Sequence, residues 1–392
     1  ALAAASRSCG IDSWVLPQQN EEDLELGRKY TSSKECFPMI CTTGSFIKKV
    51  LEPGFQPEKT SFFMPDHNGP CRFGQYNRFQ RILFNRLGYP DVTIVSPSND
   101  NNYEDLSGGH GNKFRIAAVR GVVAVDLLRK LKQERIPYEK NPGEVERTYQ
   151  DSLKMIVQCV ENGAKNLPDV MHDVAEMFKA VPIDTEAPRK PVIAVVGEIF
   201  MRDNPFCSGF LVQKLEALGA ETIMAPFREW LTYSTYRFQR DSKWKSDIKG
   251  QLQAKVQEVF THRIIHPLDK AIEHVAEMER EVELDDMIGL CGPYVHRDYD
   301  GDPALNLGTC AKLAETGISG VANILPFMCM PGTLVTSLSH SFRKDHNNIP
   351  WVNIAYDGLD DSGIETRLEA FMHQAKEFAK AHGYDKPRVW AK

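Results

Sequence analysis

Six short, β-rich apolar runs alternate with longer helical patterns along this chain of 392 residues. The runs lie at 60–64 (TSFFM), 91–96 (DVTIVS), 191–200 (PVIAVVGEIF), 221–227 (ETIMAPF), 320–327 (GVANILPF) and 351–356 (WVNIAY). This alternation is typical of parallel sheets, because two parallel strands need a crossover connection, which is usually a helix. The sequence therefore predicts an α/β fold, although the strand order cannot be read from it.

The helical patterns and the linker composition indicate two domains. The strongest helical patterns cover 113–135, 209–219, 248–283 and 363–382, and the segment 136–190 reads as a helical bridge that ends in a Pro-rich linker. A chain of this length favours two or three domains over one. We predict two α/β parallel-sheet domains with an additional helical region. Their limits are 1–185, with a helical extension at about 103–184, and 186–392, with a helical insertion at 230–283.

The N-terminal segment lacks a first strand. Residues 1–16 read as the end of a helix, a stop at Gly10 and then a short strand, SWVL. Open parallel sheets usually begin with a strand, so we expect that the chain continues an upstream polypeptide.

Charge and hydropathy disfavour two classes of partner. The chain has 47 Lys and Arg against 53 Asp and Glu, a formal net charge of −6, and no basic block of the kind that binds nucleic acid or anionic lipid. No apolar run approaches the roughly 18 residues needed to span a bilayer, and no secretory signal pattern is evident. We therefore expect a cytoplasmic protein that binds neither nucleic acid nor membranes.

Phosphate-binding motifs are weak. No GxxxxGK[ST] occurs, and the nearest glycine-rich segment, SGGHGNKFR at 107–115, follows no apolar strand. We interpret it as a flexible loop, which disfavours an ATPase or a Rossmann dehydrogenase within this chain.

The nine cysteines do not resemble a disulfide framework, because their number is odd and they are scattered over a long chain. In a reducing compartment each is a buried hydrophobe, a metal ligand or a reactive thiol. Cys71 and Cys329 each follow a predicted strand, are flanked by Gly and Pro, and precede a helix. Open α/β sheets bind ligands at the carboxyl ends of their strands, which is where both cysteines stand. We therefore favour metal ligation over simple packing for Cys71 and Cys329.

Cys36 opens a third segment of this kind, in which Ser32 or Ser33 is the predicted helix cap. A thiolate at a helix N-terminus is stabilised by unpaired N–H groups, so we also favour Cys36 as a ligand. Cys41 lies in mid-helix and is assigned to packing, whereas Cys207 is a reserve ligand in a similar loop. The remaining cysteines default to structural roles: Cys9, Cys159, Cys291 and Cys310.

Three thiolates with long, unequal spacings fit neither a zinc knuckle nor a ferredoxin. Converging from separate loops, they would hold an iron–sulfur cluster and leave one iron free for another ligand or a substrate. The spacing alone leaves two further alternatives open, a cluster that only relays electrons and an α/β protein that binds a corrinoid or a flavin without any metal.

Several motifs together resemble one family. They are GRKYTSSKECFP (27–38), GPCRFGQYNRFQ (69–80), VVGEIFMRDNPF (195–206), PFMCMPGTLVTSL (326–338) and IAYDGLDDSGIETRLEAFMHQA (354–375). The chain resembles the 2-hydroxyacyl-CoA dehydratase superfamily over about 27–379. It is most similar to the dehydratase-like part of the large predicted CoA-substrate-specific enzyme activases and to the double-cubane cluster proteins.

This resemblance implies an oxygen-sensitive cofactor, either a [4Fe-4S] cluster or a double-cubane [8Fe-9S] cluster, with ligands Cys36, Cys71 and Cys329. It implies two flavodoxin-like domains and an ATP-hydrolysing activator protein or domain as the electron donor. Three ligands per chain also predict a dimer. Members either dehydrate a 2-hydroxyacyl-CoA through a ketyl radical or reduce small molecules. We expect the second, a low-potential reductase module, with the acyl-CoA dehydratase and the non-catalytic relay as alternatives. Cys207 stands where the family pattern leads us to expect another residue, which keeps a variant cluster open.

Acid–base candidates are fewer, and no catalytic residue is assigned. Glu198 ends a predicted strand and either reaches the cleft, caps a helix or pairs with Arg202. The polar residues around Cys71 are candidates to donate hydrogen bonds to cluster sulfides, which raises the reduction potential; they are His67, Arg72 and Gln75. We interpret His296 and Asp298 as part of a capping loop before a helix at 303–316.

Overall fold

The computed structural model of the chain describes residues 1–32, 34–66, 69–96, 103–277, 284–359, 363–388 and 390. Within these residues the fold is mixed α/β, and every pair of neighbouring strands within its two sheets is parallel. The α/β prediction with parallel sheets is therefore confirmed.

The strands lie where the sequence predicts them. They are β1 (Ser61–Phe63), β2 (Thr93–Val95), β3 (Val192–Gly197), β4 (Glu221–Met224), β5 (Gly320–Pro326) and β6 (Trp351–Tyr356). One sheet pairs β1 with β2, and the other has the order β4-β3-β5-β6. Each of the six predicted apolar runs contains one strand, but β1 and β2 are only three residues long.

The helices are α1 (Leu2–Ser8), α2 (Glu21–Tyr30), α3 (Phe37–Val50), α4 (Tyr76–Arg86), α5 (Glu104–Ser107), α6 (Gly111–Arg135), α7 (Glu144–Glu161) and α8 (Leu167–Ala180). They continue with α9 (Ile199–Asp203), α10 (Leu211–Ala217), α11 (Arg228–Trp244), α12 (Ile248–Ile272), α13 (Leu284–Cys291), α14 (Asp302–Glu315), α15 (Met330–Asp345) and α16 (Ile364–His382). Short 3₁₀ turns lie at Pro57–Lys59, Arg72–Gln75 and Ile136–Tyr138. The predicted domain boundary falls in the connection between α8 and β3.

The four-stranded sheet is covered on both faces. Alternate residues of β3 enter two different cores: Ile193 and Val195 pack in the core that contains α16, whereas Ala194 and Val196 pack in the core that contains α14. All residues of β3 and β5 are buried. Burial on both faces explains why these strands read as continuous apolar runs rather than as alternating ones.

The helical extension and the helical insertion form one core. It joins α1, α6, α7 and α8 with the end of α12 and the turn that follows, where Leu268, Ile272 and Val275 are buried. The predicted helix over 248–283 is too long, because α12 ends at Ile272 and a turn follows at 273–275. Residues 278–283 lie outside the described residues.

Helix α3 lies between the two sheets. Its Phe37, Ile40 and Cys41 pack in the core of the four-stranded sheet, whereas Met39 and Phe46 pack around β1 and β2. This helix is therefore buried on more than one face.

Two local predictions are wrong. The segment SWVL forms no strand; Trp14 is 54% exposed and Val15 is 77% exposed, so the run lacks both a neighbouring strand and a buried face. The cap of α3 is Cys36 itself, not Ser32, because the helix begins at Phe37. Ser33 lies outside the described residues. No helix in the described part of the chain is both long and apolar enough to cross a membrane.

Candidate metal centre

The three cysteines predicted as ligands line one cavity. Its volume is about 240 Å³, far above the roughly 10–15 Å³ that one water molecule needs. The lining residues are Cys36, Pro70, Cys71, Arg72, Met328, Cys329, Met330 and Pro331. Cys36 and Cys71 lie 35 residues apart in sequence and Cys329 lies 258 residues beyond Cys71, yet the three thiols meet at one place.

Each thiol belongs to the residue that caps a helical turn. Cys36 precedes α3, Cys71 precedes the turn Arg72–Gln75, and Cys329 precedes α15. All three have extended backbone conformations. The N–H of Phe73 donates to the Cys71 Sγ at 3.5 Å, whereas the sulfurs of Cys36 and Cys329 accept no such capping hydrogen bond from the described residues. The donor at Cys71 stabilises negative charge on sulfur.

Proline and backbone conformation fix the loops that carry the thiols. Pro38 and Pro331 lie in the first turns of α3 and α15, where a missing N–H breaks no helical hydrogen bond. Met328, directly before Cys329, has a φ of 57°, a left-handed conformation that is uncommon for a residue other than glycine. The backbone therefore turns sharply between β5 and Cys329.

Burial makes the three thiols weak acids in the absence of a cation. It raises the pKa of Cys36 to about 12, of Cys71 to about 11 and of Cys329 to about 12. A metal ligand must be the thiolate, so a bound cationic group would reverse this preference and release the protons. Without such a cation, the charges and hydrogen-bond donors of the chain do not offset the effect of burial on the pKa of the three thiols.

Tyr76 contacts the site and was not predicted. Its side chain hydrogen-bonds Cys36, it is 4% exposed, and burial raises its pKa well above the ordinary value. The hydroxyl therefore stays protonated and can donate to a thiolate at Cys36. The only sequence signal was its position five residues after Cys71, which does not by itself indicate a contact with Cys36.

A pair of carboxyl groups lies next to the thiols. Glu198 caps α9 by accepting from the N–H of Met201 at 2.8 Å, and burial together with the charge of Asp302 raises its pKa to about 7. Burial raises the pKa of Asp302 to about 6. The charges of both carboxyl groups also raise the pKa of Cys71 and Cys329. The cap that was predicted for Glu198 is present, but Glu198 is not among the residues that line the cavity.

Asp302 was missed because it is the first residue of α14, where an acidic residue usually serves only the helix dipole. The positive charge of Arg202 lowers the pKa of both Glu198 and Asp302. It is 4% exposed, and its Nε has no hydrogen-bond partner among the described residues.

Gly197 allows Glu198 to leave β3 in the right direction. Its φ is +119°, and a Cβ at this position would lie 1.9 Å from the carbonyl oxygen of Ile324. The strand end can therefore accept only glycine. Its N–H donates to Asn306 Oδ1 at 3.2 Å, which ties the end of β3 to α14.

Cys207 does not line the cavity. It is fully buried, and its thiol is hydrogen-bonded to Cys41, so the reserve ligand lies in the core of the four-stranded sheet. Three of the cysteines assigned to structural roles are buried in other cores: Cys159, Cys291 and Cys310. Cys9 is half-buried against the helical core.

The other polar candidates have local roles. Arg72 lines the cavity and donates to the carbonyl oxygen of Lys34 at 3.1 Å, and Gln75 precedes α4. His67 lies outside the described residues.

The loop of His296 and Asp298 is held by Arg240, which donates to the Asp298 carbonyl oxygen at 3.1 Å. At 107–115 no strand leads into the glycine-rich segment, because the short helix α5 precedes it.

No protein-family model matches the chain, and a search of curated proteins finds no match.

Proposed function

We propose that this chain is an iron–sulfur protein of the 2-hydroxyacyl-CoA dehydratase type that acts as a low-potential reductase module. The observation that supports the proposal most is the meeting of Cys36, Cys71 and Cys329 at one cavity. These are the three cysteines that both their loop context and the family resemblance select.

The residues present fit such a group. The cavity offers three sulfur donors, hydrogen-bond donors that stabilise thiolates, and space for several inorganic atoms. The cysteines that line it in the described part of the chain are these three, since Cys207 pairs with Cys41 instead. Three protein ligands on a [4Fe-4S] or double-cubane [8Fe-9S] cluster leave a position for another ligand or for a substrate. When bound, the cluster supplies one-electron transfer at low potential.

The chain itself supplies proton control. A carboxyl group with a pKa of about 7 is partly protonated near neutral pH, so Glu198, which does not itself line the cavity, can hold a proton close enough for its charge to act on Cys71 and Cys329. Tyr76 and the N–H of Phe73 donate hydrogen bonds at the sulfurs. A group that can hold a proton near the thiols favours an enzyme over a subunit that only relays electrons. A 2-hydroxyacyl-CoA dehydratase is the alternative, because the loss of water also needs an acid.

The mouth of the cavity is apolar and exposed. Phe327 is 57% exposed, Met328 is 74% exposed and Met330 is 47% exposed. Met328 and Met330 also line the cavity. We assign this rim to the ATP-hydrolysing activator, because an electron donor must approach the cluster at the open side. The dimer and the cytoplasmic location that we expect from the sequence stay predictions.

Iron content of single variants tests the proposal. Anaerobically prepared protein should be brown, and Cys36→Ser, Cys71→Ser and Cys329→Ser should each lose most of the iron and the reductive activity. The matched controls Cys159→Ser and Cys310→Ser should keep iron near the wild-type content, with stability losses of about 1 kcal/mol. Colourless folded protein, or full iron content in all three ligand variants, would contradict the proposal.

Small ligands separate the enzyme from the relay. If the cluster has an open position, azide or acetylene should change its electron paramagnetic resonance spectrum, and turnover should require the activator and ATP. Rapid electron transfer without any response to these ligands would favour the relay.

A further inference from the structure

A second group of metal-binding side chains lies on the helical core, apart from the thiol cavity. His172 and Glu176 are four residues apart on α8 and so share one face of that helix. His274 lies in the turn that follows α12. Its Nε2 is 2.7 Å from Glu176 Oε1, and its ring centroid is 4.9 Å from that of His172.

The three donor atoms are almost close enough to bind one ion. One nitrogen from each histidine and one carboxylate oxygen all lie within 4.8 Å of one another. Zinc–ligand bonds of about 2.0–2.1 Å place the ligands of a tetrahedral ion roughly 3.3 Å apart. Side-chain rotations that move the donor atoms by about an ångström would close the site. All three side chains are free to rotate because they are exposed or half-buried.

Packing beneath the site fixes the two segments. Met171 and Ala175 of α8 share one buried core with Ile272 and Val275, which flank His274 in sequence. The donors therefore project from two elements whose relative position is set by the helical core. Sites on rigid elements need little rearrangement when they bind an ion.

We propose that His172, Glu176 and His274 bind a divalent transition-metal ion of the zinc class, Zn²⁺ or the similar Co²⁺ and Ni²⁺. Two imidazoles and one carboxylate suit these ions better than Mg²⁺ or Ca²⁺, which prefer oxygen ligands. With three protein ligands, water completes the coordination. The ion joins α8 to the end of α12.

The metal-free arrangement prepares the site. His274 Nε2 and Glu176 Oε1 already face each other at 2.7 Å. A metal ion that takes the place of this hydrogen bond would bind both atoms without a large rearrangement. The site shares no residue with the thiol cavity, so this inference does not depend on the proposed function.

Zinc titration of the purified protein tests the site. Isothermal titration calorimetry should show one equivalent of tightly bound Zn²⁺, and Zn²⁺ should raise the melting temperature by mass action. His172→Ala, Glu176→Gln and His274→Ala should each weaken binding by about tenfold or more, because each removes one of three protein donors. The three positions are exposed or half-buried, and circular dichroism of each metal-free variant checks the fold.

The chain offers a matched control. His262 and His266 on α12 are also four residues apart and stacked, with ring centroids 5.5 Å apart. The double variant His262→Ala/His266→Ala should keep the wild-type affinity. Loss of the tight site in this control, unchanged affinity in all three ligand variants, or no Zn²⁺ binding at micromolar concentration would each overturn the proposal.

Co²⁺ distinguishes this site from the thiol cavity. Cobalt bound to imidazole and carboxylate gives weak visible absorption, whereas cobalt bound to thiolates adds intense near-ultraviolet charge-transfer bands. The tight equivalent should lack these charge-transfer bands, and its visible absorption should disappear in His274→Ala. Strong charge-transfer bands in the first equivalent would assign the metal to cysteines instead and overturn the proposal.

Discussion

Glu198 combines a structural and a chemical role at the level of one residue. Its carboxylate caps α9, yet burial and the charge of Asp302 disfavour ionisation and raise its pKa to about 7. A group that serves only as a cap would be expected to have a lowered pKa, because backbone N–H donors stabilise the anion. The opposite shift shows that burial and the charge of Asp302 outweigh the hydrogen bond of the cap.

This shift predicts how pH affects stability. The pKa of Glu198 is about 7 in the folded protein, against an ordinary value of 4.5 for a glutamate in water, so the folded state holds the proton more tightly. The free energy of unfolding of the metal-free protein should therefore fall as pH rises from about 4.5 to about 7, by on the order of 3 kcal/mol. Glu198→Gln keeps an oxygen for the cap and should remove most of this dependence.

Urea unfolding at several pH values between about 4.5 and 8 measures this effect. A smaller slope should remain in Glu198→Gln, because the raised pKa of Asp302 acts in the same direction. Glu25→Gln, at an exposed position on α2, is the control and should unfold with the wild-type pH dependence. Equal slopes for wild type and Glu198→Gln would show that this carboxyl group does not hold a proton.

Residue-level prediction from the sequence worked best where the signal is local. Cys71 and Cys329 each stand directly before a helical turn, as predicted, because a helix start can be read from neighbouring residues, whereas the start of α3 was predicted a few residues before Cys36. Tyr76 and Asp302 were missed because their roles come from contacts with residues that are distant in sequence. A tyrosine in the first turn of a helix carries no signal for the thiol that it contacts.

At the scale of elements, α3 determines where Cys36 lies. It packs closely on α2, because a Cβ at Gly44 would lie 1.7 Å from the carbonyl oxygen of Asp23 and one at Gly27 would lie 2.1 Å from that of Ile40. No side chain at either position is compatible with this separation. The glycines therefore set the distance between the helices and, through it, the position of the helix start.

Gly44→Ala should force α2 and α3 apart. We expect a loss of at least about 1–3 kcal/mol in the free energy of unfolding, as for other overpacked cores, together with lower iron content because Cys36 moves with α3. Gly289→Ala is the matched control, since this glycine is also helical but has open space around its Cβ position. It should be neutral or stabilise the protein by up to about 1 kcal/mol.

Denaturant unfolding and iron analysis of both glycine variants check the prediction. A Gly44→Ala protein with wild-type stability would mean that α2 and α3 are not in such close backbone contact. Wild-type iron content in a destabilised Gly44→Ala protein would mean that iron binding at the thiols does not depend on the packing of α2 against α3.

Elements were predicted well where burial imposes a simple pattern. The strands β3 and β5 are buried on both faces, so each has a continuous apolar run that the sequence shows plainly. SWVL has the same residue types but no strand to pair with, and pairing is a property of the whole fold. The end of α12 was misplaced because helical residues continue beyond Ile272 without a proline or glycine to mark the stop.

At the scale of the whole molecule, a buried ionic network joins distant parts of the chain. Arg388, near the C-terminus, contacts Glu134 of α6 at 2.6 Å, Glu277 at 3.1 Å and Glu221 of β4 at 3.7 Å. Arg189 also pairs with Glu221 and Glu277. The network connects the helical region to the four-stranded sheet across the predicted domain boundary.

Removing Arg388 should cost far more than removing a surface charge. Arg388→Met keeps much of the volume of the side chain but leaves buried Glu134 without its closest partner, for which we expect a loss of about 3–5 kcal/mol in the free energy of unfolding. Lys380→Met is the matched control, because Lys380 pairs with Glu377 at an exposed site. This control should lose at most about 1 kcal/mol.

The pH dependence shows whether the loss comes from the charge. Burial disfavours ionisation of Glu134, but Lys130 and Arg388 outweigh it and lower its pKa to about 2. In the wild type this stabilisation is present above the ordinary glutamate pKa of 4.5 and is lost as pH falls toward 2. The stability difference between wild type and Arg388→Met should therefore shrink on acidification. A difference that stays constant with pH would mean that Arg388 stabilises the fold through packing rather than through its charge.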